Sequence, residues 1–306
     1  MPTLQQLRYL VAIAETLHFR RAAELTHVTQ PTLSGQLREL EAKLGVQLVE
    51  RSRARVVLTP IGHTIAARAR TVLHDVQDIV ELAKHGQTMF GGTIRVGVLQ
   101  SLGPYLLPHI LPELHRSYPQ LKLYVREGVP QALLGGLDDG NLDLLFFPLP
   151  VRGGDLETAR LFREPLCVAV AAEHPLAGKG HATKNDLEGQ TVLTLEQGHR
   201  LHDQVRELCR DFGADLSLDY EGTSLDTLRQ MVGLGMGISF LPALYVRSEV
   251  TREGDVVPLA MKPNPPFRMI GMVWRRHSAR REEYLAFAGL IREILKRDVP
   301  EVTVVS

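Results

Sequence analysis

The chain of 306 residues contains only two cysteines, Cys167 and Cys209, and a single tryptophan. Two cysteines are too few for a disulfide scaffold or a four-cysteine zinc site. No apolar run reaches the roughly 18 residues that a membrane-spanning helix needs. Charged residues also interrupt the N-terminal region, where a signal peptide has its apolar core. We therefore expect a cytoplasmic protein that is neither exported nor inserted into a membrane.

A net charge is also absent, because 35 Lys and Arg residues balance 35 Asp and Glu residues. Taken alone, this balance argues against a nucleic acid as the partner. The charges are unevenly distributed, however, since residues 1–70 hold ten basic and five acidic residues and the remainder carries a net charge of −5. A basic segment on an acidic body is typical of a nucleic-acid-binding head joined to a regulatory domain.

Helical spacing in this basic segment predicts a helix-turn-helix. A first helix is followed by a short second helix, and Thr29 and Pro31 begin a third helix that Gly45 ends. Polar residues on the face opposite the leucines of the third helix can reach base edges in the major groove. The predicted apolar face of the first helix consists of Leu4, Leu7, Leu10, Val11 and Ala14. The candidate DNA-binding residues of the third helix are Gln30, Thr32, Ser34, Gln36 and Arg38.

A basic wing and a long helix follow. Arg51, Arg53 and Arg55 alternate along a predicted hairpin strand, so they would share one face and contact phosphates or the minor groove. Each piece alone is typical of an amphipathic helix or a solvated surface, but their order and spacing favour DNA binding. A helix is predicted from Pro60 to about Phe90, and its apolar spacing predicts a coiled-coil seam that forms a homodimer. The seam residues are Ala69, Val72, Val76, Ile79 and Ala83.

The order of these pieces resembles the LysR-type transcriptional regulators. Matching residues include Leu7-Arg8-Tyr9, Ala22-Ala23, Gln30-Pro31-Thr32-Leu33-Ser34 and Leu58-Thr59-Pro60-Ile61-Gly62. The resemblance implies a fold that is α/β overall, with an N-terminal winged helix-turn-helix, a long linker helix and a two-lobed effector domain like the periplasmic binding proteins. It also implies homodimers or homotetramers that bind double-stranded promoter DNA, act with RNA polymerase and activate transcription.

We place the domain boundaries accordingly. The DNA-binding domain spans residues 1–59 and the linker helix residues 60–90. Effector lobe I combines residues 91–163 and 268–300, and lobe II spans residues 164–267. Strand patterns that alternate with helical patterns over this region independently predict a parallel α/β sheet. Two such lobes leave a cleft at their strand ends, where ligands bind.

Within the family, the effector region resembles the peroxide-sensing OxyR subgroup. The resemblance rests on stretches such as Glu196-Gln197-Gly198-His199 and Thr223-Ser224-Leu225-Asp226-Thr227. In those sensors a low-pKa thiolate reacts with peroxide and then pairs with a second cysteine, whose position matches Cys209. Arg200 stands at the position of the reactive cysteine, and arginine has no thiol. The subgroup's pocket threonine falls at Pro130 and its pocket histidine at about Asp219.

These departures favour a regulator that is controlled by a small effector between the lobes instead of by a thiol–disulfide switch. The guanidinium of Arg200 and helix-terminal amides would suit an anion. The candidate effector-binding residues are Gln100, Ser101, Leu102, Pro130, Gly198, His199, Arg200, Thr223 and Ser224. Two alternatives stay open: a redox regulator like OxyR that uses Cys209 or other residues, and an effector-independent repressor. Arg200 can also point into solvent or pair with Asp203 or Glu196.

Other classes of function have weaker support. We find no nucleophile elbow, no phosphate-binding glycine loop and no metal cluster, so the sequence predicts neither an enzyme nor a cofactor. His199 and His202 have the spacing of metal ligands, but no carboxylate or cysteine accompanies them convincingly, and we predict no metal site. A solute-binding protein would fit the two lobes alone, but it does not explain the winged head.

Overall fold

The structure is a computed structural model that describes residues 1–51, 56–85, 90–151, 153–250 and 254–305. Met1–Thr88 and Gly135–Leu142 form one compact unit, and Met89–Leu134 and Asp143–Ser306 form a second. The boundaries predicted near residues 59, 90, 163 and 267 divide the chain more finely than these units, and they stay predictions. In the part of the chain that is described, no helix is both long and apolar enough to cross a membrane.

The first unit contains the predicted helix-turn-helix and wing. Its elements are α1 (Leu4–Thr16), α2 (Phe19–Leu25), α3 (Gln30–Leu44), β1 (Val49–Arg51), β2 (Val56–Leu58) and α4 (Pro60–His85). The strands β1 and β2 pair antiparallel, so that Val49 lies opposite Leu58. The head therefore has the winged architecture that the sequence predicts. The linker helix α4 extends to His85, and the predicted extension toward Phe90 crosses residues 86–89, which lie outside the described residues.

The core of the head lies among α1, α2, α3 and the wing. Leu33, Leu37 and Leu40 of α3 are fully buried, as their helical spacing predicts. The buried face of α1 is rotated from the predicted one, since Leu4 is 42% exposed whereas Ile13 is fully buried. The other buried residues of α1 are Gln6, Tyr9, Leu10 and Ala12.

The contacts of Gln6 lie on this observed face of α1. Thr3 and Gln6 form a capping box, in which the Thr3 hydroxyl accepts from the Gln6 amide and the Gln6 side chain accepts from the Thr3 amide. The side-chain amide of Gln6 also donates to Gln36 Oε1 of α3 at 3.2 Å. Gln6 therefore faces α3, and Tyr9, Leu10 and Ile13 share its side of the helix because they follow it by three, four and seven residues.

The second unit alternates strands and helices. Its strands are β3 (Gly92–Leu99), β4 (Leu121–Gly128), β5 (Leu144–Leu149), β6 (Leu156–Ala171), β7 (His181–Ala182), β8 (Thr191–Leu195), β9 (Asp215–Gly222), β10 (Ile238–Pro242), β11 (Val256–Met261), β12 (Phe267–Arg275) and β13 (Thr303–Val304). Its helices are α5 (Gly103–Ser117), α7 (Arg200–Phe212), α8 (Leu225–Gly233), the single turn α9 (Ala243–Tyr245) and α10 (Arg281–Asp298), while α6 (Pro130–Asp138) begins in this unit and ends in the first.

One long strand connects two sheets in this unit. The first part of β6 pairs antiparallel with β12, and its last part pairs with β10 and β11. We call β3, β4, β5, β12 and the first part of β6 sheet I, and β8, β9, β10, β11 and the last part of β6 sheet II. The pairs β3–β4, β3–β5, β8–β9 and β8–β10 are parallel. The predicted α/β fold is therefore confirmed.

Candidate DNA interface and the site around Arg200

The N-terminus of α3 is capped as the sequence predicts. The backbone of Thr29 is extended, its hydroxyl accepts from the Thr32 amide at 3.4 Å, and Pro31 lies in the first turn. The hydroxyls of Thr29 and Thr32 are 2.8 Å apart. Gln30 and Thr32 are exposed at this end of the helix. Such a terminus combines solvent-facing polar side chains with the positive end of the helix dipole, which suits DNA.

Two other predicted residues of α3 already have partners within the head. Gln36 accepts from Gln6, and its amide nitrogen donates to Glu39 Oε2 at 3.2 Å. Arg38 is exposed, and its Nε lies 3.4 Å from the carbonyl oxygen of Ser34. A guanidinium held along the helix surface in this way keeps its remaining donors for a phosphate. Gln36 is therefore less available to a base edge than Gln30 or Arg38.

The wing arginines are described only in part. Arg51 is the last residue of β1, but its side chain lies outside the described residues. Arg53 and Arg55 fall within residues 52–55, which lie outside them as well. The predicted contribution of these three arginines to DNA binding stays a prediction.

Removal of the cap of α3 should destabilise the head. We expect Thr29→Ala to lower its free energy of unfolding by about 1 kcal/mol, because the Thr32 amide loses its acceptor. Amide hydrogen exchange over α3 in the full chain measures this loss. Thr29→Ser keeps the hydroxyl and should behave like the parent protein, and equal exchange in all three proteins would contradict the assignment of the cap.

In the second unit, Arg200 binds a distant backbone carbonyl. It is the first residue of α7, and its guanidinium donates to the carbonyl oxygen of Pro150 at 2.9 Å. Gln204, one turn later, donates to the carbonyl oxygen of Phe267 at 2.8 Å. Asp203, one of the partners considered for Arg200, pairs with Arg206 at 3.2 Å. The start of α7 is thus attached to the segment after β5 and to the beginning of β12.

A cavity of about 380 Å³ lies beside this attachment. Its lining includes Arg200 and Gln204 from α7, Pro150 after β5, and Arg268 and Met269 from β12. Arg200 is the one member of the predicted effector set among the residues that line it. Carboxylates of Asp203 and Glu207 line the same cavity and oppose its positive charge.

The other predicted effector residues have structural roles or lie apart. Ser101 is buried, and both its hydroxyl and its carbonyl oxygen accept from Arg268, at 3.0 and 2.8 Å. The hydroxyl of Ser224 caps α8 by accepting from the Thr227 amide. His199 is the N-terminal cap residue of α7, is 7% exposed and lies 3.7 Å from Glu196. The remaining predicted residues are Leu102 and Pro130, which are buried, and Gln100, Gly198 and Thr223, which are exposed.

A buried ion pair next to the cavity was not predicted. Arg268 Nε donates to Glu164 Oε2 at 2.6 Å, and the Glu164 side chain is fully buried. Arg268, directly before the apolar strand pattern that begins at Met269, is the only sequence signal for this pair, because Glu164 follows the charged residue Arg163. Their positions, 104 residues apart, give no indication that they are partners.

Neither cysteine is in a disulfide, and burial disfavours the thiolate of both. Burial raises the pKa of the Cys209 thiol to about 11, and the charge of Asp215 adds to this increase. Burial likewise raises the pKa of Cys167 to about 11, with a further contribution from Glu164. Neither thiol has the lowered pKa of a highly reactive cysteine.

In the described part of the chain, no observation contradicts the prediction that there is no metal site. The Nδ1 of His202 lies 2.8 Å from the carbonyl oxygen of Leu195, and His199 is next to Glu196 instead. Among the described residues, no group of three histidines, cysteines or carboxylates is arranged to hold an ion.

Comparison with known proteins identifies the family. Residues 4–63 match the bacterial regulatory helix-turn-helix protein family of lysR type, and residues 87–296 match the LysR substrate binding domain. The chain belongs to the LysR family. Its winged head and α/β second unit are the two parts that these matches describe.

Relatives and solved structures extend the similarity over nearly the whole chain. The DNA-binding transcriptional dual regulator OxyR of Escherichia coli strain K12 is 44% identical over 290 residues, which cover 94% of each chain. A hydrogen peroxide-inducible genes activator of Pectobacterium carotovorum is 43% identical over 95% of this chain and 96% of its own. A full-length OxyR from Pseudomonas aeruginosa with an aspartate in place of one cysteine superposes with a TM-score of 0.80 at 39% identity, and the alignment covers 95% of this chain and 94% of that one.

These similarities correct the function that the sequence interpretation favoured. Control by a small anionic effector in place of a redox switch is wrong as the main interpretation, because relatives that match 94% and 95% of this chain are named hydrogen peroxide-inducible genes activators. The alternative of a redox regulator like OxyR has the better support. The geometry agrees with this correction, since Arg200 alone of the predicted effector residues lines the cavity described above and Ser101 is occupied by Arg268.

Proposed function

We propose that this protein is a redox-responsive transcription regulator of the OxyR type, which binds promoter DNA and is not an enzyme. The observation that carries the proposal is the similarity of about 44% to OxyR over both the head and the second unit. Oxidation would change how the protein engages its promoter and RNA polymerase. The surface of α3 supports the DNA-binding part of this proposal, because Gln30 and Thr32 face solvent at its N-terminus and Arg38 does so two turns later.

A homodimer formed through α4, which assembles further into a homotetramer, is part of the proposal. Val72 and Ile79 are 42% and 63% exposed on this helix, and both belong to the predicted coiled-coil seam. Ala69, the first residue of the seam, is buried instead. The side chain of Ala83 lies outside the described residues. Val76 is half-buried. The two exposed apolar side chains, Val72 and Ile79, lie two turns apart on a helix of 26 residues and support pairing with a second copy.

We assign the redox step to Cys209. Its thiolate sulfur would attack one oxygen of hydrogen peroxide, so that the O–O bond breaks, an S–OH bond forms and hydroxide leaves. The sulfur is oxidised and the peroxide is reduced. In the resemblance to OxyR, Arg200 replaces the other cysteine, so the sulfenic acid has no disulfide partner at that position.

The place of Cys209 in the fold supports a structural response to this oxidation. Cys209 is 3% exposed on α7 and packs in the core of sheet II. An added oxygen there overpacks a closely packed interior and introduces a polar group, and both changes are costly. The same helix carries Arg200 and Gln204, which bind the carbonyl oxygens of Pro150 and Phe267. A shift of α7 would break these two contacts and so change the second unit.

Promoter-binding measurements test this function. A footprinting experiment measures binding of the full chain to the DNA upstream of its own coding sequence. It compares the reduced protein with protein treated with hydrogen peroxide. We expect specific, salt-sensitive binding and a footprint or transcript level that changes after oxidation. Cys209→Ser should bind but not respond, whereas Cys167→Ser should respond like the parent protein. Binding that is absent would exclude a promoter-binding regulator, and a response that persists in Cys209→Ser would exclude Cys209 as the redox residue.

The raised pKa of Cys209 predicts slow and pH-dependent oxidation. Burial disfavours the thiolate, so a pKa of about 11 in place of the ordinary 9.0 leaves a hundredfold smaller ionised fraction at neutral pH. We expect the rate of sulfenic acid formation at pH 7 to be about 100-fold below that of a free thiol and to rise about tenfold per pH unit up to pH 10. Trapping the sulfenic acid and measuring it by mass spectrometry checks both numbers. A rate that is independent of pH would show that Cys209 is ionised already.

A further inference from the structure

The ion pair between Glu164 and Arg268 is completely enclosed. Glu164 lies in β6 where the strand passes from sheet I to sheet II, and Arg268 lies at the start of β12. Their side chains are 0% and 4% exposed, and Arg268 Nε donates to Glu164 Oε2 at 2.6 Å. Two charges removed from water are tolerated only when each has a close partner and further hydrogen bonds. Both conditions are met at this place.

The remaining hydrogen bonds of the pair connect the two sheets. On one side, the two terminal nitrogens of Arg268 donate to the hydroxyl and the carbonyl oxygen of Ser101, which follows β3 of sheet I. On the other side, Glu164 Oε1 accepts from the amide of Leu244, which follows β10 of sheet II. Ser101 and Arg268 are 167 residues apart in sequence, and Glu164 and Leu244 are 80 apart. Four separate chain segments thus meet at one charge pair.

An aromatic contact at the same junction strengthens this connection. Tyr105, in the first turn of α5 beyond Ser101, packs against the core of sheet II. Its ring lies edge-on to that of Tyr245, with centroids 5.0 Å apart, and Tyr245 directly follows Leu244. The Tyr245 hydroxyl donates to Asp226 Oδ1 at 3.0 Å. The junction therefore combines a buried charge pair with a contact between the half-buried Tyr105 ring and the buried Tyr245 ring.

We propose that Ser101, Arg268, Glu164 and Leu244 form a latch that holds the two sheets of the second unit in one fixed arrangement. Glu164 and Arg268 lie opposite each other in the β6–β12 ladder of sheet I, so the bond from the Leu244 amide to Glu164 is the one that crosses to sheet II. Separation of the sheets at this point would leave this buried amide and a buried carboxylate oxygen without partners, which is more costly than the loss of an exposed contact. The bonds from Arg200 to Pro150 and from Gln204 to Phe267 are exposed. They can therefore break while the latch stays closed. Arg268 also lines the cavity beside Arg200, so the latch forms one wall of that cavity.

Two substitutions open the latch in different ways. Glu164→Gln removes the negative charge and leaves Arg268 without a counter-charge. Arg268→Lys keeps a cation beside Glu164 but loses the planar fork that reaches both oxygens of Ser101. Glu157→Gln is the matched control, since Glu157 lies on the same strand and pairs with Arg281 at the surface, where the side chains are 24% and 44% exposed.

Amide hydrogen exchange in the full-length protein measures opening of the latch at one amide near each of the two sheets. The amide of Leu244 donates to Glu164, and the amide of Leu106 donates to the carbonyl oxygen of Leu102 in the first turn of α5. We expect each latch variant to increase the exchange rate of both amides about tenfold, because opening exposes both segments together. The Glu157→Gln protein should exchange like the parent at both positions.

Specific results would overturn the latch. If Arg268→Lys accelerates exchange at Leu106 but leaves Leu244 unchanged, Arg268 supports its neighbour only and does not couple the sheets. If Glu164→Gln fails to fold, Arg268→Lys alone decides, because it retains the charge pair. The outcome does not depend on the oxidation of Cys209, since all of these measurements use reduced protein.

Discussion

Gln30→Ala is expected to weaken specific promoter binding by about 5- to 150-fold, the cost of one lost contact between a side chain and a base edge. Gln30 is the first residue of α3 and is exposed beside Thr29, which caps the helix. Arg38 lies on the same helix two turns later. Because a guanidinium there suits a phosphate, Arg38→Ala should weaken binding to all sequences equally and reduce the salt dependence by about one counterion.

Competition binding separates these two effects. Each variant is titrated with the promoter fragment and with a scrambled fragment at several salt concentrations. Lys43→Ala is the control, because this substitution removes one positive charge from the same helix. The Lys43 ammonium pairs with Glu39 and Gln6 within the head and is not expected to contact DNA. If Gln30→Ala lowers affinity for the promoter and the scrambled fragment equally, Gln30 does not contact a base. If Lys43→Ala matches Arg38→Ala, the loss reflects net charge alone.

The helices of the head could be predicted from the sequence because their boundaries are set by neighbouring residues. Thr29 caps α3, Pro31 fits its first turn, and Gly45 ends it with a φ of +69° that favours glycine. Each of these effects acts within a few residues. The buried face of α1 was predicted less well, because it includes a polar residue, Gln6, whose partner Gln36 lies 30 residues later.

Strand β6 shows where local patterns are insufficient. Only its last part, residues 167–171, has the continuous apolar pattern that predicts a strand. The strand begins at Leu156, and its first part carries charged residues such as Arg160 and Arg163 on exposed positions. Pairing with β12 holds this part in the sheet, and such a partner is not visible in a local pattern. The sequence pattern therefore predicts only the last five of the 16 residues of the strand that connects the two sheets.

The site around Arg200 could not be predicted for a related reason. The sequence indicates Arg200 as a cation at a helix start, but its acceptor is a carbonyl oxygen 50 residues earlier. The predicted use of Ser101 for an effector fails because Arg268, which is much later in the chain, occupies it. The resemblance to a family indicated Arg200 and Ser101 as candidate site residues. Their hydrogen-bond partners, Pro150 and Arg268, could be identified only from the three-dimensional structure.

Gly62→Ala is expected to destabilise the head by about 3 kcal/mol or more, because the substitution inserts a methyl group where there is no space. A Cβ at Gly62, in the first turn of α4, would overlap the carbonyl oxygen of Leu48 and lie 3.1 Å from the Thr59 hydroxyl. Leu48 is fully buried, and its carbonyl oxygen accepts from the Thr59 amide at 3.0 Å. Since the obstacle is backbone, it cannot rotate away, and the wing or α4 must shift. Hydrogen exchange over the head and promoter affinity measure the loss, and both should fall together.

The contrast with two other helical glycines makes this prediction specific. A Cβ at Gly289 in α10, or at Gly35 in α3, would meet no atom within 4 Å. Alanine has the higher helix propensity, so Gly289→Ala should stabilise the second unit by about 0.5–1 kcal/mol. Gly35→Ala should likewise slow exchange in the head, although a methyl group on α3 can alter DNA affinity. The same substitution thus has opposite effects at positions 35 and 62 of one domain. Unchanged stability of Gly62→Ala would mean that the wing and the linker helix are not packed as closely as Gly62 and Leu48 require.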